Sequence, residues 1–148
     1  MTEQPLGVFR HRFTIPTDAI DGNGHVNNVA YVQWMQEAAI RHFDSLGGGP
    51  VMQRAGATWV VRSHRIEYLA PAFAAEEIEV LTWIAGVRRV RSLRRYEFVR
   101  PSDGRLLVRG ETDWVFVDVR DGRPIAIPEY VLAVFPIVAD DPEDQEGS

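Results

Sequence analysis

The chain has 148 residues, of which 45% are apolar and 25% charged, and this length and composition predict one globular domain with a core of its own. The formal net charge of -5 argues against nucleic acid or an acidic membrane as partner, and no apolar run approaches the ~18 residues of a membrane span. Cysteine is absent, which excludes disulfides, a thiol nucleophile and thiolate metal ligands, and with no secretory leader pattern we expect a cytoplasmic protein.

The first predicted elements are a strand and a long helix. Residues 9–15 form the strand, which Pro16 stops because proline cannot donate a ladder hydrogen bond. Residues 29–46 have helical periodicity with apolar side chains on most faces, so we expect wide burial of this helix. The run Gly47-Gly48-Gly49-Pro50 predicts its end.

The rest of the chain is typical of long strands followed by one short helix. Val, Ile, Trp, Tyr and Phe are enriched in four segments that are separated by turn signals. The four predicted strands are Thr58–Leu69, Glu77–Ala85, Val90–Arg100 and Leu106–Val119. A short helix is predicted from Pro128 to Phe135. Residues 140–148 are acidic with almost no apolar groups, so we expect a disordered tail after a domain over residues 1–139.

One helix followed by long antiparallel strands predicts an α+β fold in which a curved sheet wraps around one central helix. A single small sheet leaves its edges and one face uncovered. Pairing with a second copy would cover them, so we expect a homodimer.

The loop before the long helix concentrates polar side chains at a helix N-terminus. Its sequence is Asp21-Gly22-Asn23-Gly24-His25-Val26-Asn27-Asn28. Unpaired N–H groups and the positive end of the helix dipole can stabilise negative charge that develops on an oxygen. The alternative is structural: Asp21 can form a turn, and Asn27 or Asn28 can cap the helix. Both can hold together, because a cap on Asn27 would orient the Asn28 amide.

These residues resemble the hotdog-fold thioesterases of the 4-hydroxybenzoyl-CoA thioesterase type. The likeness rests on the string Asp21-x-x-Gly24-His25-Val26-Asn27-Asn28-x-x-Tyr31-x-x-Trp34, and it continues through residues 65–71 and 112–118. It implies a single hotdog domain in which Asp21 is the nucleophile or general base and the Asn28 N–H polarises the thioester carbonyl. It also implies a homodimer or homotetramer (dimer of dimers) with acyl-CoA at the subunit interface. Many members carry a second acid that would fall on Ala19, and Asp18 is therefore the alternative base.

The same loop is similar to the plant acyl-ACP thioesterases, in which an asparagine and a histidine matching Asn23 and His25 have catalytic roles. Those enzymes contain two hotdog units per chain, whereas this chain has room for one. We therefore favour a CoA thioester. His25 can also brace the loop, and Asn23 can simply occupy a tight turn. Tyr31 is expected in the core or in the acyl pocket.

Five arginines cluster around the turn between the second and third of the four predicted strands. They are Arg88, Arg89, Arg91, Arg94 and Arg95. Coenzyme A carries phosphates that arginine binds through bidentate hydrogen bonds, so we expect Arg88, Arg89 and Arg91 to bind it. A solvated hairpin is the alternative.

The sequence thus predicts an acyl-CoA thioesterase that needs no metal and no redox cofactor. No Gly-x-Ser-x-Gly elbow, metal-ligand spacing among the histidines, or Gly-rich phosphate loop is present. The alternatives are an acyl-ACP thioesterase, a non-catalytic acyl-CoA-binding hotdog protein, and a hydratase or dehydratase on the same fold.

Overall fold

The computed structural model describes residues 7–138. Within this range the chain forms five β-strands and three α-helices. They are β1 (Phe9–Thr14), α1 (Asn28–Ser45), α2 (Gly48–Ala55), β2 (Ala57–Tyr68), β3 (Glu77–Arg88), β4 (Arg91–Arg100), β5 (Arg105–Asp118) and α3 (Glu129–Leu132). The strands make one antiparallel sheet in the order β1-β3-β4-β5-β2, so β1 and β2 are its edges.

Helix α1 packs one face against the sheet. Its buried residues recur at helical spacing and are Tyr31, Met35, Ala38, Ala39 and His42. Met35 has no exposed surface and lies against Gly110 of β5, where a Cβ would come within 3.0 Å of the Met35 sulfur. The opposite face is open in one copy, since Val29 and Ile40 are 71% and 55% exposed. The wide burial expected of this helix is therefore wrong for the single chain, although the central helix on a sheet is confirmed.

The predicted strands are all present, with shifts of a few residues at their ends. The largest shift is in β3, which continues to Arg88 instead of ending at Ala85. Three of the four strand pairings contain a register shift, and such irregularities increase local twist.

Helix α2 was missed by the sequence interpretation. Gly47, with φ +74°, ends the first helix as predicted, but Gly48 then begins a second one. Pro50 is tolerated because the first-turn N–H groups of a helix need no intrahelical partner. Gly48 also permits a close crossing, because a Cβ on it would lie 2.4 Å from the Phe43 ring.

The C-terminal part of the described chain is a short helix. Helix α3 follows Pro128 as predicted, but it ends at Leu132 and not at Phe135. The boundary at residue 139 and the acidic tail over 140–148 lie outside the described residues.

Candidate active site

The loop between β1 and α1 is a tight, hydrogen-bonded turn. Ile20 and Val26 form an antiparallel bridge, and the Asp21 N–H donates to the His25 carbonyl at 2.8 Å. The Asp21 Oδ1 accepts from the backbone N–H groups of Asn23 at 2.9 Å and His25 at 3.2 Å. The turn-forming interpretation of Asp21 is therefore confirmed.

The second carboxylate oxygen of Asp21 is available for chemistry. Among residues 7–138 no hydrogen bond to Asp21 Oδ2 is formed, and the residue is half-buried. A carboxylate with one oxygen held by two N–H groups and the other open has a fixed orientation and a free basic atom. Both the structural and the catalytic interpretation of Asp21 are compatible with this geometry.

The start of α1 has the capping arrangement that the sequence suggested. Asn27 is the N-cap, and its Oδ1 accepts from the Val29 N–H at 2.9 Å. Its own N–H donates to the Ala19 carbonyl at 2.7 Å, which ties the helix start to the segment before Asp21. The Asn28 N–H has no acceptor among residues 7–138. It is thus a donor at the positive end of an 18-residue helix.

The other polar residues of the loop are exposed. The His25 imidazole packs edge-on against Phe73, with ring centroids 5.3 Å apart, so the histidine braces the loop while remaining in contact with solvent. Asn23 lies at the tip of the turn, where it is bound through its backbone N–H. Asp18 lies exposed in a 3₁₀ turn, Thr17–Ala19, and its side chain caps no helix there.

Tyr31 lies beneath the helix start and not on the surface of the loop. It is 3% exposed and contacts the rings of Trp34 and Phe98 edge to face, at 5.3 and 5.1 Å between centroids. Burial raises the pKa of its hydroxyl to about 12. The hydroxyl has no hydrogen-bond partner among residues 7–138.

The five arginines do not form one patch. Arg88 and Arg89 are exposed at the β3–β4 turn, and Arg89 has φ +49°. Arg91 forms a bidentate ion pair with Asp113, which raises the pKa of the guanidinium. Arg95 pairs with Glu111 at 3.9 Å, and Arg94 is buried.

The arginine turn and the Asp21 loop lie at opposite ends of the sheet in a single copy. The loop follows Thr14, which pairs with Glu77 at the start of β3, whereas the turn follows Arg88 at the end of the same strand. Twelve strand residues separate these ends by roughly 36 Å. One chain therefore does not bring the two predicted groups together.

A cavity of about 450 Å³ lies beside the other half of α1, between α2 and the sheet. Its lining includes Trp59 and Trp114, but none of the site residues predicted from the sequence. The walls of the cavity come from elements far apart in the chain, so no local sequence motif indicates it. In the described part of the chain no three His, Asp or Glu side chains are grouped to hold a metal, and none of the helices described is long and apolar enough to cross a membrane.

Sequence comparison gives both a family match and distant relatives. The profile of the Thioesterase-like superfamily matches residues 15–135. The chloroplastic acyl-[acyl-carrier-protein] hydrolase FATB2 of Cuphea viscosissima is 24% identical over 147 aligned residues, which cover 88% of this chain and 36% of the plant protein. The chain spans about a third of the length of the curated relatives it matches.

Solved structures share the fold at low sequence identity. The 1,4-dihydroxy-2-naphthoyl-CoA thioesterase Slr0204 from Synechocystis has a TM-score of 0.78 and 20% identity, and the match covers 87% of this chain and 96% of that one. The 12:0-ACP thioesterase from Umbellularia californica has a TM-score of 0.79 and 22% identity, with 93% and 54% covered. The expected α+β hotdog architecture is confirmed.

Proposed function

Because the chain belongs to the Thioesterase-like superfamily, we propose that it hydrolyses an acyl thioester at the loop between β1 and α1. The observation that carries this proposal is that two suitable groups lie on one short segment of the chain. One is a carboxylate with a free oxygen, Asp21, and the other is an N–H without an acceptor among residues 7–138, that of Asn28.

In the proposed reaction the thioester carbonyl accepts a hydrogen bond from the Asn28 N–H. Negative charge grows on that oxygen as the carbonyl carbon becomes tetrahedral, and the helix dipole stabilises it. Asp21 Oδ2 either removes a proton from the attacking water or attacks the carbon itself, giving an anhydride that water then opens. Collapse of the tetrahedral intermediate breaks the C–S bond, and the thiolate leaves and takes up a proton.

The remaining residues of the loop support this chemistry. Asn27 fixes the helix start and with it the direction of the Asn28 N–H. His25 and Asn23 are exposed beside Asp21, where they can donate to the substrate or to the departing thiolate. Tyr31 forms the floor under the helix start through its ring contacts with Trp34 and Phe98, and its burial favours a supporting role in the core over contact with the acyl group.

We propose a homodimer in which each site uses both copies. β2 is an edge strand of 12 residues, and antiparallel pairing of two β2 strands would continue the sheet across a two-fold axis. Such pairing brings the Ala57 end of one sheet beside the Tyr68 end of the other. The Arg88–Arg89 turn of one copy would then lie at the same end as the Asp21 loop of its partner, where it could bind the phosphates of coenzyme A.

The thiol carrier in this proposal is coenzyme A, and acyl carrier protein is the second candidate. Slr0204, of which the match covers 96%, is a CoA thioesterase, whereas the Cuphea relative, of which the match covers 36%, acts on acyl-[acyl-carrier-protein]. Exposed arginines at a turn suit either the nucleotide of CoA or an acidic carrier protein.

The test is Asp21→Asn, assayed with a panel of acyl-CoA and acyl-ACP substrates by thiol release. Asparagine retains an Oδ1 that can accept from the N–H groups of Asn23 and His25, so the turn is preserved while the base is lost. We expect turnover to fall by ~10²–10⁴-fold. Asp18→Asn is the matched control and should be close to wild type.

Two outcomes would contradict the assignment. Near-normal turnover of Asp21→Asn would remove Asp21 from the reaction, and loss of turnover in Asp18→Asn alone would move the base to that residue. Binding of acyl-CoA by the wild type without repeated thiol release would instead identify a non-catalytic binding protein.

A further inference from the structure

The cavity that lies beside α1, between α2 and the sheet, has a buried guanidinium without a counter-ion at its floor. Arg94 is 6% exposed, and it lines the cavity from β4. Its Nη1 donates to His42 Nδ1 at 2.9 Å and to the Thr82 hydroxyl at 3.1 Å, and both partners are neutral acceptors. No carboxylate pairs with Arg94 among residues 7–138, and its Nε and Nη2 have no protein acceptor there.

The neighbours of Arg94 keep this charge in place without neutralising it. Burial, followed by the charge of Arg94, lowers the pKa of His42 to about 4, so the imidazole is neutral near pH 7 and accepts from the arginine. A buried charge is costly unless it is paired. An arginine that faces a cavity and lacks a protein counter-ion is therefore suited to an anion that arrives from outside.

The walls of the cavity determine which anion fits. Apart from Arg94, Ser92 and Thr58, its lining is apolar or lacks a side chain, and it includes the side chains Ile40, Phe43, Met52, Trp59, Ile84, Trp114 and Phe135. The phosphates of a nucleotide would face apolar surface there, whereas a molecule with an apolar body and one anionic end would match both parts. A volume of about 450 Å³ is in the range of small-molecule sites.

We propose that this cavity binds an aliphatic carboxylic acid, with the apolar chain against the aromatic walls and the carboxylate on Arg94. Guanidinium and carboxylate form two parallel hydrogen bonds, and the Nε and Nη2 of Arg94 present one such pair of donors. The Ser92 hydroxyl, on the same face of β4, is a further donor at the floor.

The experiment compares decanoate with 1-decanol on the full-length wild-type protein. Trp59 and Trp114 line the cavity, so binding can be followed by intrinsic fluorescence and by calorimetry. We expect the acid to bind about 10- to 100-fold more tightly than the alcohol, as for a hydrogen bond to a charged group in a buried site. Equal affinities would overturn the proposal, and this comparison needs no variant.

Three variants test the named residues. Arg94→Met should remove the preference for the acid, while Arg109→Met, an exposed arginine on the neighbouring strand, should retain it. Ile40→Trp places bulk at the exposed rim of the cavity and should weaken both ligands. Circular dichroism checks that each variant is folded, and an unchanged preference in folded Arg94→Met or unchanged binding in folded Ile40→Trp would contradict the proposal.

The carboxylate can come from two sources, which kinetics distinguishes. Ile40 is 12 residues beyond Asn28, about 18 Å along α1, so a long acyl chain would be needed to join the two regions within one copy. If the acid is the far end of the acyl group, hexadecanedioyl mono-CoA should exceed hexadecanoyl-CoA in kcat/KM, and Arg94→Met should reverse the order. If it is a free acid, the order should not depend on Arg94. This second step rests on the proposed function, but decanoate binding does not, so an inactive protein that binds decanoate through Arg94 would refute only the hydrolysis.

Discussion

Replacing Asn27 tests whether the helix cap also positions the proposed carbonyl donor. Asn27→Ala removes the oxygen that accepts from the Val29 N–H and leaves the backbone bond to Ala19 in place. Loss of an N-cap costs about 1 kcal/mol, or roughly 2–4 °C in Tm for a chain of this size. If the first turn loosens, the Asn28 N–H loses its fixed direction. Because that donor acts mainly in the transition state, we expect kcat to fall by about 10- to 100-fold with little change in KM.

Two further substitutions at Asn27 separate stability from catalysis. Serine is a neutral cap and should restore both the unfolding midpoint and most of kcat. Aspartate caps equally well but places a negative charge beside the forming oxyanion. Asn27→Asp should therefore keep the wild-type unfolding midpoint but have a lower kcat. The measurements are urea unfolding and thiol release under one set of conditions. Wild-type kcat in a destabilised Asn27→Ala would refute the link between the cap and the donor.

Two other predictions concern His42 and the subunit pairing. The folded-state pKa of His42 is lowered to about 4 from 6.5, so its stabilising contribution is present above pH 6.5 and is lost as the pH falls through 4, by up to about 3 kcal/mol. Urea unfolding of His42→Gln, which can still accept from Arg94, should therefore lose less stability in acid than the wild type; parallel curves would contradict the assignment. Mixing Asp21→Asn with the double variant Arg88→Gln, Arg89→Gln should restore activity, because about a quarter of the sites in randomly paired dimers would have both groups intact. No recovery after unfolding and refolding the mixture would place both groups in one copy.

The fold and the loop were predictable because their signals are local. Strand composition, the proline after β1 and the glycines after α1 act within a few residues of where they stand. The cap on Asn27 follows from the preference of asparagine for that position. Asp21 could be assigned to a turn or to catalysis from sequence, and the structure explains why the alternatives were inseparable: its two oxygens have different surroundings.

Helix α2 was missed because its first three residues are two glycines and a proline. By propensity these residues disfavour a helix interior. At the start of a helix the missing proline N–H costs nothing, and Gly48 is needed where α2 crosses Phe43. Gly48 is therefore required by a contact between two helices, and the helix propensities of single residues do not indicate such a contact.

The division of the arginine cluster between two faces was not predicted, because its residues were grouped by charge and not by their alternation along the strand. Arg91 and Arg95 lie on one face of β4 and pair with acids on β5, whereas Ser92 and Arg94 lie on the opposite, buried face. Alternation along a strand predicts this division, since successive side chains point to opposite faces. Because arginine generally prefers the surface, a buried position for Arg94 was not expected. The exception then becomes informative, because a buried arginine needs a partner and Arg94 has only neutral ones among residues 7–138.

The two ends of α1 therefore suit anions of different kinds. At the N-terminus the donor is a backbone N–H with a partial charge, which suits an oxygen whose charge exists only during the reaction. Beside the C-terminal half of α1 the donor is the fully charged guanidinium of Arg94 in an apolar cavity, which suits a permanently charged anion. A site built for turnover cannot bind its product's carboxylate as strongly as a guanidinium does without slowing release. Under the two proposals, separating the donors by more than ten residues of helix would let one chain hold an acid at Arg94 and still release an acid at Asn28.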